Sequence, residues 1–425
     1  MRQRHGDGDT VAMPDPAHPL RLSPRLLAAA PHRLMFFVGA LNVLMAMAWW
    51  TLWLVDARFG LGWLPPAPAF PGWMHAVVMQ YQLLPPFFFG FLMTTFPRWM
   101  GLPDLKGWHY VPAGAGLLGG QLVVIGAMVT GSVVGLMIGL LMSVAGWSQG
   151  LLMMGRLLLA ERHAGKGPTW HAWSCFIALL LGWIGLLLAM AHLFTGNAWW
   201  MFFSIKLGTF GLLLPVYFTV AHRMFPFFAG NVVIGYRAWR PFWLLVAFWA
   251  LAMLQLGLEL LHAYAALWVA ALPMAILTAA ILHRWWPRAE APGLLWVLFI
   301  GFAWLPLAFV LYTMQSLLYA ASGQFLLGRG PAHALYIGFF GSLLVAMVTR
   351  VTQGHSGRPL EMPAVGWFAF GLLQLVATLR VLAEMLPDPG LWQALAAIGW
   401  LLAFTPWVLR NAGIYLRPRR DGKPG

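Results

Sequence analysis

The fold class this sequence predicts is an all-α integral membrane protein, with about twelve transmembrane helices in one bundle. Three observations predict it. Of 425 residues, 61% are hydrophobic and 9% charged, with 25 Trp and 29 Phe, more apolar surface than a soluble core can hide. Uncharged runs of about 20 residues recur along the chain, the length that crosses a bilayer core as a helix. Between the runs, Lys and Arg gather in alternate loops.

The spans fall near 33–55, 73–96, 109–130, 133–158, 171–194, 198–221, 241–262, 265–283, 293–320, 332–350, 364–386 and 391–415. They are too long and too continuously apolar for barrel strands, so each is expected to be a helix. Charges, Pro and Gly punctuate them. The first stops before Arg58; the second opens at His75, holds Pro85-Pro86 mid-way and closes on Arg98. Lys106 precedes the third, and the fourth runs into Arg156, Arg162 and Lys166. The fifth ends at His192, and the sixth closes on His222-Arg223. Arg237 and Arg240 precede the seventh, which ends at His262, and Arg284 and Arg288 follow the eighth. The ninth gives way to Arg329, and the tenth runs from His333 to Arg350. Arg380 and Glu384 lie late in the eleventh, and the twelfth reaches Arg410.

The amino-terminal arm, with Arg2, Arg4, Arg21 and Arg25, falls on the basic side, as does the tail to Lys423. That asymmetry predicts that both termini are cytoplasmic. The expected organisation is a mobile, disordered cytoplasmic arm over 1–30, a helical membrane domain over 31–416 and a basic tail over 417–425. The arm carries Asp7, Asp9, Asp15 and prolines instead of a short apolar core, so no cleaved signal peptide is expected. No internal repeat stands out, although twelve spans can hide two halves. The net charge of +14 follows from topology and does not call for nucleic acid. A single cysteine, Cys175, excludes an internal disulfide, and no Cys-x-x-Cys-His is present for covalent haem attachment.

Several residues carry chemistry. His75, His192, His262 and His333 fall in the outer half, with Met79 one turn beyond His75 and Gln82 continuing that face. Imidazoles from facing helices, with thioether sulfur, suit haem iron or reduced copper. Hydrogen-bonded packing is the alternative for each histidine. Pro85-Pro86 interrupts the hydrogen-bond ladder, either opening the helix around a ligand or kinking it. Lys206, Glu259, Arg380 and Glu384 lie within the bilayer, where charge is expensive unless it meets a partner or a polar cavity. Arg380 and Glu384, four apart, share a helix face. These four are either structural ion pairs or groups that move protons or hold propionates. On the cytoplasmic side, Arg98, His222, Arg223, Arg350, His355 and Arg358 can hold haem propionates, an anion or lipid phosphate, or serve as topological anchors. Ala334, Gly338 and Ser342 form a small-residue stripe that admits a close helix neighbour.

Three motifs carry a resemblance. His333 through Thr349-Arg350 to Gly354-His355-Ser356-Gly357-Arg358-Pro359-Leu360 resembles the carboxy-terminal motif of the NnrS family. His75-Ala76, Gly90-Phe-Leu-Met-Thr94 and Pro97-Arg98-Trp99-Met100-Gly101 form the second match, and Arg223-Met-Phe-Pro226-Phe227-Phe228 the third. The resemblance runs from about residue 31 to about 415. It implies a multi-pass bacterial inner-membrane protein that binds b-type haem, with copper as a second metal, and takes part in the response to nitric oxide. Four positions depart from it: Val77 and Phe299 stand where the family commonly has histidine, and Val78 replaces a glutamate. His222 stands where the family has glycine.

The resulting expectation is haem held through His75 and His333, with His222 and His355 next in order and lipid, haem and nitric oxide as partners. The metal set adds Met79, His192 and His262. A cofactor-free transporter or assembly factor using Lys206, Glu259, Arg380 and Glu384 is the rival reading. No complete nucleophile or proton relay is apparent, so binding or sensing stands beside catalysis.

Overall fold

The computed structural model describes residues 22–422. The expected arm therefore lies outside the described residues up to residue 21. Within its described part, Pro24–Ala29 forms a 3-10 turn packed on the first long helix.

All twelve expected spans are helices, and no strand occurs among the described residues. They are α1 (Pro31–Phe59), α2 (Pro71–Met100), α3 (Gly107–Thr130), α4 (Val133–His163), α5 (Trp170–Thr195) and α6 (Ala198–Val232). Then come α7 (Trp243–Leu260), α8 (Tyr264–Trp285), α9 (Gly293–Ser322), α10 (Gly330–His355), α11 (Ala364–Leu382) and α12 (Pro389–Tyr415). The protein is a multi-pass membrane protein. Alternation of the helices leaves one basic face, where α1 begins and α12 ends, and an opposite face with Arg58 and Arg329.

The helices divide into three inside and nine around them. In α2, α6 and α10 the apolar stretch is 89%, 78% and 78% buried, against 39–61% in the others. α1 packs on α12, α4 on α5 and α8 on α9, so three consecutive sets of four helices close into a ring. Each set sends its second helix to the centre. This corrects the expectation of no repeat: the chain holds three quartets, not two halves. Pro86 and Pro97 of α2 recur at the same spacing as Pro215 and Pro226 of α6.

Each inner helix carries a π-helical turn: Met79–Leu83 in α2, Gly208–Leu213 in α6 and Ala334–Gly341 in α10. Such turns cost regular hydrogen bonding and gather at functional sites. In α2 the prolines explain the cost and its remedy. Pro85 and Pro86 have no N–H to give the carbonyls four residues back, those of Tyr81 and Gln82. Trp147 Nε1 of α4 donates to the Tyr81 carbonyl at 3.0 Å, and Asn42 Nδ2 of α1 to that of Gln82 at 2.7 Å. Neighbouring helices thus repair the break, which opens α2 without melting it.

The small-residue stripe of α10 does what its pattern implies. A side chain at Gly338 would enter the Trp304 ring of α9, and one at Gly301 would come within 2.9 Å of the Ser342 Cβ. Gln374 of α11 joins them, accepting from Trp304 Nε1 at 2.7 Å and donating to Ser342 Oγ at 2.8 Å.

Candidate cofactor site

The three π turns meet beneath a cavity of about 460 Å³ near the face opposite the basic one. That volume lies within the range of small-molecule sites. α2, α6 and α10 form its centre, and α1, α9, α11 and α12 complete its wall. One residue from each π turn closes the floor. Gln80 Nε2 donates to Tyr336 Oη at 2.7 Å and to Thr209 Oγ1 at 3.2 Å, and the two hydroxyls bond each other. The side-chain amide oxygen Oε1 of Gln80 is buried without a partner beside Gly208, where any side chain would strike it and come within 2.7 Å of the Tyr81 hydroxyl.

His75 and His333 both line this cavity. The His75 ring stacks on Trp50, with centroids 4.2 Å apart and planes 9° from parallel. Trp50 in turn stacks on Trp53 at 4.9 Å, so two indoles fix the imidazole plane. The buried Nδ1 of His75 reaches no hydrogen-bond partner. His333 is held differently. Its Nδ1 lies 2.9 Å from the carbonyl oxygen of Arg329. A carbonyl only accepts, so Nδ1 carries the proton and Nε2 keeps a lone pair, the arrangement in which an imidazole binds metal.

Met79 lines the same cavity from the α2 π turn. The intramembrane charges pair two by two. Lys206 Nζ lies 2.7 Å from Glu259 Oε2, and Arg380 Nη1 lies 3.0 Å from Glu384 Oε1. Lys206 and Arg380 also line the cavity, together with Arg329, which has no ion pair among the described residues. Three cations thus line this wall, two of them paired with carboxylates that do not line it. Sequence reasoning named Arg329 only as a loop charge and passed over Tyr336, Thr209 and Gln80, whose polar side chains stand in three separate spans. The one signal was that a Gln, a Thr and a Tyr had to be placed somewhere inside uncharged helices.

Other expected residues are not brought here. His192 Nδ1 donates to the Asn197 carbonyl at 3.0 Å, and its ring meets Trp73 edge-on at 5.2 Å. His262 stacks on Phe202 at 4.8 Å and bonds the Tyr264 hydroxyl at 2.6 Å. Trp73 and Phe202 line the cavity, so each imidazole stands one aromatic ring outside it. The five-residue metal set expected from the sequence is therefore not assembled. Among the described residues no group of three His, Cys, Asp or Glu can hold a metal ion.

The basic-face set also divides. His222 Nδ1 lies 2.9 Å from His171 Nε2, whereas His355 packs on His32 with centroids 4.3 Å apart. Arg223 covers Trp99 at 4.4 Å and Arg350 covers Phe228 at 3.8 Å, both as cation–π contacts. Arg98 stands in electrostatic range of the His32–His355 pair, and Arg358 lies beyond it in the turn after α10. Among the described residues, the cavity beside His32 and His355 holds about 10 Å³, far too little for a macrocycle.

The NnrS family model, described as NnrS protein, matches residues 26–419. This chain belongs to the NnrS family. No curated protein matches it. Val77 and Phe299 stand where the NnrS pattern commonly has histidine. Val77 is fully buried two residues before the π turn that opens at Met79 and contributes only packing. Phe299 of α9 packs on Phe225 at 5.7 Å and on Trp286 at 6.0 Å, in an aromatic cluster that fills the basic half near His222. In this NnrS chain that half is closed by rings, and the open site lies in the other half.

Proposed function

We propose that this NnrS protein binds b-type haem non-covalently in the central cavity, through His75 and His333, and acts in the response to nitric oxide. The observation that carries the reading is the convergence of two imidazoles, from different central helices, on one apolar cavity that also holds Arg329, Arg380 and Lys206. Haem iron takes neutral imidazole, and its macrocycle takes apolar walls. The carboxylate arms of the group call for cations. The donor set fits: Nε2 of His333 is free to ligate, and the unpartnered Nδ1 of His75 shows an imidazole not consumed by packing.

Bound haem would supply an iron able to take nitric oxide as a ligand. The chain's own part is to orient His333 through the Arg329 carbonyl, His75 through Trp50, and the carboxylate arms through Arg329 and Arg380. Copper has less to hold it here, since only His75, Met79 and His333 of the expected ligands share the cavity. Lys206, Glu259, Arg380 and Glu384, the groups a transporter reading would use, form two ion pairs, which suits a structural role. The Lys and Arg asymmetry supports a cytoplasmic basic face, and the proposed location is a bacterial inner membrane.

The test is a haemin titration of detergent-purified protein followed by its Soret band and a pyridine haemochrome. One haem per chain is expected. His333→Ala and His75→Ala should each weaken binding and shift the band, whereas His192→Ala and His262→Ala should leave it in place. Protein that takes up no haem, or variants that bind as the parent does, would overturn the assignment.

A further inference from the structure

The Gly354–Leu360 turn after α10 is the most specified stretch of the chain at the basic face, and the central cavity gives it no role. Its Arg358 stands in electrostatic range of Arg410, Arg417 and Arg420. Burial and these three guanidinium groups pull the Arg358 pKa below its ordinary value. The gathering is built into the backbone. The Ser356 carbonyl accepts from the Arg420 N–H at 3.1 Å, and the Leu416 carbonyl from the Ser23 N–H at 2.8 Å. Arg33 Nη2 donates to the Arg417 carbonyl at 2.8 Å. The tail is thereby clamped over the turn at the start of α1.

Four like charges held together this way repel one another, and nothing described neutralises them. Arg358, Arg410, Arg417 and Arg420 have no carboxylate partner among the described residues. The nearby Asp421 already receives two hydrogen bonds from Arg419, at 2.9 and 2.7 Å. The Nε atoms of Arg358 and Arg417 are buried and reach no acceptor. A buried donor left without an acceptor costs about 1–3 kcal/mol, and more when charged. Topological anchoring needs charge at this face, but it does not need donors turned inward and a tail tied down above them.

We propose that this cluster binds a phosphate group, presented by the headgroup of an anionic lipid or as free phosphate. Guanidinium forks match phosphate oxygens in pairs, and a basic pocket at helix ends lies at headgroup depth. The bound anion would accept from the two orphaned Nε–H groups and offset the repulsion among the four arginines. The site is remote from the cavity and stands whether or not haem binds there.

The experiment measures the thermal unfolding midpoint of the full-length protein in phosphatidylcholine nanodiscs. Either phosphatidylglycerol or inorganic phosphate is added. A rise with phosphatidylglycerol alone assigns the site to lipid; a rise with inorganic phosphate as well assigns it to free phosphate. Arg358→Ala with Arg417→Ala should weaken the response about tenfold, since a lost charge-assisted bond is worth at least one decade. Arg284→Ala with Arg288→Ala, removing the same charge elsewhere on that face, should leave it unchanged. If the first double variant does not fold, Arg358→Lys with Arg417→Lys replaces it, keeping charge and removing the fork. No rise with either ligand, or an equal loss in the Arg284 and Arg288 control, would overturn the proposal.

Discussion

His333 and His75 are the same side chain held in two ways. Hydrogen bonding to the Arg329 carbonyl fixes the tautomer of His333, whereas stacking on Trp50 fixes only the plane of His75. Replacement by glutamine separates the two roles. His333→Gln should lower haem affinity more than Trp50→Leu, because losing a ligand atom outweighs losing a stacking neighbour; a haemin titration of both variants checks the order. Gly208 makes a second prediction at this scale. Any Cβ there would strike the Gln80 side-chain amide oxygen and the Tyr81 hydroxyl, both fully buried. Overpacking of this kind costs roughly 1–3 kcal/mol. Gly208→Val should therefore lower the unfolding midpoint and the haem stoichiometry together, as fluorescence-detected size exclusion after heating would show.

The inner helices owe their shape to breaks that their neighbours repair. Asn42→Ala leaves the Gln82 carbonyl bare in the membrane core, because Pro86 has no N–H to offer it. An unpaired buried acceptor costs about 1–3 kcal/mol. Asn42→Ala should destabilise the protein by that order, and by clearly less when Pro86→Ala restores an N–H. The double-mutant cycle measures the coupling; additive effects would mean that Asn42 has some other role. The start of α12 gives a prediction with a pH sign. Asp388 accepts from Leu391 N at 3.3 Å and from Arg58 Nε at 3.0 Å. The Arg58 guanidinium holds its carboxyl below the ordinary value of 3.8. A depressed carboxyl stabilises fully above the unfolded pKa, and that stability is lost as pH falls through the lower folded value. Asp388→Asn should lower the unfolding midpoint at pH 7, and the difference should vanish in strong acid. A shift that persists unchanged there would contradict the pairing.

For the whole molecule, the sequence carried the spans and one end of the site, and the structure supplied the arrangement. Twelve helices were legible because a bilayer demands about 20 apolar residues for each crossing. His75 and His333 were legible because each opens a span on the same side. Which helices lie inside was not, since lipid and protein interior both favour apolar residues; α2 and α12 share a mean hydropathy of 1.4 yet differ twofold in burial. The quartet repeat left a faint trace in the paired prolines of α2 and α6, which no composition window detects. The Gln80–Thr209–Tyr336 floor joins residues more than a hundred positions apart, and no periodicity relates them. His192 and His262 misled because depth was readable and rotation about the helix axis was not. The central claim concerns the contents of the cavity between α2, α6 and α10. An experimental density map of the purified, haem-loaded protein tests it most directly. The account predicts a macrocycle in that cavity, its iron reached by His333 and His75 and its carboxylates turned toward Arg329 and Arg380. Haem density at the basic face, or a cavity holding only lipid or detergent in haem-saturated protein, would contradict it.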